Sequence, residues 1–164
     1  MHNARMRILH DLNYGADPAT VLAMLTDPGY WDKVAVATAA ISSTATVETD
    51  GDATRVVVDQ LQEVQGVPSF AKKFVGDSTR AISTQVWRGS SASYVVDTPG
   101  KPTSMKGTMT VTAKGAGSVL TYDLEVKASV PLIGGKLEKL VAELFTAGLA
   151  KEEAVGNAWL AGGN

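Results

Sequence analysis

His10 is the one side chain here that elementary chemistry marks as a candidate catalyst, because imidazole titrates near neutral pH and can carry a proton either way. It sits on the apolar side of an alternating segment, Arg5 to Tyr14, in which Ile8, His10, Leu12 and Tyr14 share one face. A histidine in such a place is more often a hydrogen-bonded core group than a general base. The other histidine, His2, falls in the N-terminal tail, Met1 to Ala4. With two histidines, no cysteine and no ligand-like spacing, the sequence predicts no metal site, no disulfide and no thiol nucleophile. No Gly-x-Ser-x-Gly string occurs, and Gly115-Ala116-Gly117 joins two strands where a phosphate loop would join a strand to a helix. No other cofactor motif is present. Among the carboxylates Asp59, Asp97, Asp123 and Glu125, the last two fall on the outer side of their strand, which predicts solvated charge over paired acid–base work.

Binding is better represented than catalysis. Leu12, Trp31, Met105, Met109, Tyr122, Leu124, Leu140, Leu144 and Phe145 sit at inward positions of strands and helices, with Trp87 and Tyr94 on strands whose faces the pattern leaves ambiguous. Methionine adapts to varied apolar partners, and tyrosine or tryptophan adds one polar handle to an apolar body. Each of these residues serves equally well as plain core. Phe70 and Phe74, four apart and flanking Lys72 and Lys73, suit either a lid over a cavity mouth or transient contact with an anionic membrane surface. Gly66 and Gly76 bracket them as candidate hinges.

These residues need a frame. Arg5 to Tyr14 reads as a strand. Asp17-Pro18 and Asp27-Pro28 each place a capping residue before a proline, predicting two short helices, the first ending near Leu25 and the second reaching Tyr30 and Trp31. Strands follow at 41–49, 53–64, 79–88 and 92–98, with Asp50-Gly51-Asp52 as a hairpin turn. The clearest alternation comes next: Met105, Gly107, Met109 and Val111 on one strand, then Leu120, Tyr122, Leu124 and Val126 on the other. Period-two patterning of this kind means one buried and one wet sheet face. From Lys136 to Leu160 the period changes to that of a helix about 35 Å long. Its apolar stripe is Leu137, Leu140, Val141, Leu144, Phe145, Leu149, Val155 and Trp159, and Lys136, Glu138, Lys139, Glu143, Lys151 and Glu152 are assigned to the opposite face. Gly134-Gly135 is read as the sharp turn into it. The fold class is α+β: a curled antiparallel sheet of about seven strands closed by one long helix.

At 164 residues the chain predicts a single domain, 1–164 with a core of about 5–160, large enough to bury a substantial interior. A net charge of −2, from 15 basic and 17 acidic residues, gives no basis for nucleic-acid binding. No secretory leader or membrane-spanning run is visible, so a cytoplasmic location is the default expectation.

Four strings carry a family resemblance: Met24-Leu25-Thr26-Asp27-Pro28, the Pro68 to Gly76 segment around Phe-Ala-Lys-Lys-Phe, Pro99-Gly100-Lys101-Pro102, and Ser129-Val130-Pro131-Leu132-Ile133-Gly134-Gly135-Lys136-Leu137-Glu138. Together with the element order, they resemble the START-like (SRPBCC, helix-grip) superfamily, which includes Bet v 1-type and polyketide cyclase-like proteins. Within it, the chain is most similar to a domain-of-unknown-function family. The resemblance implies an apolar cavity between sheet and long helix that takes a hydrophobic small molecule or lipid, without covalent chemistry. It supplies no catalytic residue. A cyclase- or dehydratase-like enzyme, with His10 or a buried tyrosine as proton carrier, is the alternative; a protein-interaction domain with a solid core is a third. Ligand identity and oligomeric state are not written in the sequence.

Overall fold

The computed structural model describes residues 5–64 and 66–163; the His2 tail lies outside the described residues. Strand β1 (Met6–Tyr14) leads into α1 (Pro18–Leu25) and α2 (Pro28–Ala37). A meander follows: β2 (Ala40–Asp50), β3 (Ala53–Glu63), a short α3 (Ser69–Val75), β4 (Ser78–Arg88), β5 (Ser91–Asp97), β6 (Thr103–Lys114) and β7 (Gly117–Ala128). The long α4 (Gly134–Ala158) runs into a π-helical turn at Trp159–Gly163. All seven strands form one antiparallel sheet in the order β1-β7-β6-β5-β4-β3-β2. This is the helix-grip arrangement expected above.

The sheet must coil to wrap a helix, and Gly107 marks a place where it does. A Cβ there would collide with the backbone carbonyl of Asp123 on β7, so only glycine permits that approach. The inner face carries Ile8, Leu12 and Tyr14 of β1, Tyr94 and Val96 of β5, Met105 and Met109 of β6, and Leu120 to Val126 of β7 in alternation, all buried. The outer face is wet, and arginines hold several of its carboxylates. Arg7 grips Asp123 through two 2.9 Å bonds, and Arg80 grips Asp59. Asp97 is exposed.

Both proline-initiated helices form where expected. In α2 the Asp27 carboxylate caps Gly29 N–H at 2.8 Å, and the helix continues past Trp31 to Ala37. Asp17 occupies the N-cap of α1, but its side chain takes the Thr20 hydroxyl instead of a backbone N–H. The turn into α4 departs from expectation. Gly134 and Gly135 are the first helical residues, and the reversal is made by Leu132, at φ 70°. Among the described residues, no helix is long and apolar enough to cross a membrane.

Candidate functional site

α4 does not lie centrally over the sheet. It seats on β1 and β7, with α2 packed against its C-terminal half. Polar side chains fix this seat. The Glu138 carboxylate accepts Ala128 N–H at 2.9 Å, and Glu153 accepts Asn13 N–H at 2.8 Å. Asn157 accepts from Gly15 N–H and donates to the Asn13 carbonyl. The buried stripe therefore runs through Glu138, Ala142, Leu149, Glu152 and Gly156. At 100° per residue, Val141, Leu144 and Gly148 lie about a quarter turn away from it. Leu144, assigned above to the inward stripe, is 51% exposed, because the helix leans toward β1 and leaves that flank uncovered. On the inner face of β2, β3 and β4, Ser43, Gln60 and Ala81 align across the strands, Ser83 follows two residues along β4, and all four are only half-buried. A cleft between these two surfaces would be walled by aliphatic groups on the helix side and by small and amide side chains on the strand side.

The space directly under α4 is filled. Tyr94, Tyr122 and Phe145 form a triad of rings with centroids 5.7 to 6.3 Å apart. Beyond it lies a group that sequence reading put on the wrong side of the helix. Glu138 and Glu152, both assigned to the charged outer face, are buried. The Glu152 carboxylate accepts a 2.7 Å hydrogen bond from the Tyr122 hydroxyl, and its backbone carbonyl accepts one from Tyr30 at 3.2 Å. Removal from water disfavours the charged form and raises the Glu152 carboxyl to about 7, against the opposing pull of the Tyr122 hydrogen bond. Tyr122, Tyr94, Tyr30 and Tyr14 are all pushed up, first by burial and then by the nearby Glu152 charge. Tyr14 lies beside Tyr30, yet its buried hydroxyl has no partner of hydrogen-bonding geometry among the described residues. Four tyrosines from β1, α2, β5 and β7 therefore surround one acid from α4. A carboxyl that titrates near neutrality beside phenols can donate or accept a proton or anchor a polar head group.

The other sequence candidates divide by location. Leu12, Trp31, Trp87, Tyr94, Met105, Met109, Tyr122 and Leu124 are buried in the main core. The two ambiguous residues, Trp87 and Tyr94, both face inward, Trp87 donating its ring N–H to Gln85 at 2.8 Å. Phe70, Phe74 and Leu140 belong to a smaller cluster with Val130 and Leu137 at the N-terminal end of α4. His10 is inward but half-buried, opposite Tyr122 in register, and lines an open groove of about 530 Å³ with Lys139, Glu143 and Thr146. Among the described residues, no three His, Asp or Glu side chains gather as a metal site would require. Glu152 was legible only through its spacing from Glu138, Ala142, Phe145 and Leu149, which places it on their line.

No curated protein matches the chain in sequence. Solved structures do match in fold. The Thermus thermophilus protein TTHA0849 superposes with a TM-score of 0.63 at 18% identity, over 94% of this chain and 98% of its own. A START superfamily protein from Mycobacterium smegmatis gives 0.60 at 14%, over 94% and 98%. The Zhui aromatase/cyclase from Streptomyces sp. R1128 gives 0.57 at 19%, over 98% and 94%. At these identities the likeness establishes the START-like, helix-grip fold alone. The sequence pattern over residues 10–160 goes further: the chain belongs to DUF2505, a family of proteins of unknown function.

Proposed function

We propose that this protein binds a hydrophobic small molecule or lipid in the cleft beside α4. The observation that carries the reading is the flank of that helix on which Leu144 stands half-exposed beside the partly buried Val141. Each 100 Å² of apolar ligand surface laid there would contribute about 2.5 kcal/mol. A guest's body would rest on Val141, Leu144 and Phe145 across from Gln60, Ala81 and Ser83, and a polar head would turn toward the Glu152–tyrosine group. Such a division, apolar walls with a few convergent polar groups, is what small-molecule sites generally show. α3, with Phe70 and Phe74 between Gly66 and Gly76, would act as the lid at the mouth. The fold is one that a START superfamily protein and an aromatase/cyclase share. The test is Ala81→Trp, which fills the cleft while leaving the α4 seat intact. Native mass spectrometry and a lipid-panel thermal shift should detect a ligand in the parent chain and none in the variant. A parent chain that carries and binds nothing, or a variant that binds equally well, would reject the reading.

The 2.7 Å Tyr122–Glu152 contact favours a second reading, a cyclase- or dehydratase-like enzyme with that pair as proton carrier. Glu152→Gln and Tyr122→Phe should then abolish turnover of an aromatic polyketide-like substrate while its binding persists. Loss of turnover with His10→Ala alone would move the chemistry to β1.

A further inference from the structure

At the N-terminal end of α4 a leucine is displayed to solvent in a strained conformation. Leu132 is completely exposed, at 101% of its reference surface, and has φ 70°. Ile133 N–H donates to the Pro131 carbonyl at 2.8 Å, closing a γ-turn around it in the rare left-handed form. A large apolar side chain gains nothing in water from such a position, and the left-handed backbone disfavours it further.

Its neighbours are basic. α3 packs on Val130, Ile133, Leu137 and Leu140 through Phe70, Ala71 and Phe74, which brings α3 to the same end of the molecule and leaves Lys72 and Lys73 exposed. The Pro99–Pro102 loop joins them: Ser129 N–H donates to the Pro102 carbonyl at 2.8 Å, and the Lys101 ammonium lies against Gly76. Lys136 projects from the first turn of α4, exposed. Exposed acids at this end include Asp77, which meets Lys72 at 3.5 Å, Glu63 at the end of β3, and Asp97 at the end of β5, just before the Lys101 turn. So four lysines belong to the same end of the molecule as a protruding leucine, in a chain whose net charge is −2.

We propose that this end is a docking tip for an anionic lipid bilayer, with Leu132 inserted at the headgroup level and Lys72, Lys73, Lys101 and Lys136 on the lipid phosphates. Apolar insertion combined with a basic collar is the chemistry of reversible interfacial binding. Charge complementarity selects the occupant: a bilayer of anionic lipid offers the apolar depth and the negative surface together. Docking of this kind requires no guest in the cleft and stands independently of it.

Sedimentation of the full chain with 100 nm vesicles tests the proposal, comparing phosphatidylcholine alone with phosphatidylcholine containing about a third phosphatidylglycerol. The chain should partition onto the anionic vesicles and be released by about 0.5 M salt. Leu132→Gly suits the left-handed backbone, so folding is not at risk, and it should weaken partitioning about tenfold. Lys72→Gln with Lys73→Gln should weaken it roughly 25-fold, about fivefold for each charge near the surface. Absence of binding to either vesicle would overturn the proposal, as would binding indifferent to both variants. A dimer in sedimentation velocity that Leu132→Gly dissociates would overturn it too, by assigning the tip to a second copy.

Discussion

Replacing Glu152 by glutamine isolates the ionisation of one buried group, because the amide keeps its shape and its oxygen can still accept from Tyr122. In the folded chain the carboxyl titrates near 7, against an ordinary 4.5, and desolvation is the main cause. Between those values the folded protein holds a proton that the unfolded chain has released, so stability falls as pH rises through this window. Below about 4.5 the neutral acid carries no penalty, and above about 7 the loss is complete, at about 3 kcal/mol. Glutamine carries no such loss. The two proteins should therefore be similarly stable at pH 4.5, and the variant should melt about 6 to 12 °C higher at pH 8, the range expected of a chain this size. Differential scanning calorimetry of both proteins at matched pH between 4.5 and 8 reads this directly, since the shared titrations of other groups cancel in the difference. A gap that does not widen with pH would mean that the carboxyl is hydrated in the folded state. The description of a dry acid among four tyrosines would then be wrong.

Other perturbations probe the surroundings of that acid and the seat of α4. Tyr122→Phe removes the hydrogen bond that holds the Glu152 carboxyl down, so the pH midpoint of the Glu152 transition should move upward in the same calorimetric series. At Gly156 an added methyl would strike the Tyr14 ring and press on the Met24 methyl, 3.2 Å away. Gly156→Ala should thus destabilise by about 2 kcal/mol in urea despite alanine's better helix propensity. Trp31→Phe deletes the 2.8 Å ring N–H bond to the Leu25 carbonyl, and a loss of about 1 kcal/mol in the same assay would fit a bond that orients α1 on α2.

Strand alternation made most of the sheet readable, because a half-buried strand cannot hide which face is wet. Met105 to Val111 and Leu120 to Val126 show their inward sides without ambiguity, and the proline-led starts of α1 and α2 follow from capping chemistry. The β2–β4 side is harder to read. Gln60, Ser83 and Gln85 point inward there, so polarity no longer separates the faces, and the pattern does not decide Trp87 or Tyr94. Polar residues on an inner face are costly in a solid core but tolerable on the wall of a cleft.

α4 misleads for a related reason. Its apolar residues point along Leu137, Val141, Leu144 and Val155, while its closest packing runs through Glu138, Ala142, Glu152 and Gly156, where small residues admit Tyr14 and buried acids meet donors. In a helix whose partners are all within the chain, the apolar direction and the buried direction coincide, because burial is what selects apolar side chains. Here they diverge by about a quarter turn. Leu137, Val141 and Val155 find cover from neighbouring elements, but between them Leu144 carries the apolar stripe onto the flank that α4 leaves uncovered. Under the proposed function, Leu144 is the part of the stripe that a ligand covers when it binds. Polar substitution at Leu144 separates the two demands: Leu144→Gln should leave the melting temperature within about 1 °C of the parent, as expected of a half-exposed site, and weaken ligand retention. A stability loss of about 2 kcal/mol or more, the size typical of a core truncation, would instead show that Leu144 is ordinary core and that the divergence has no functional meaning.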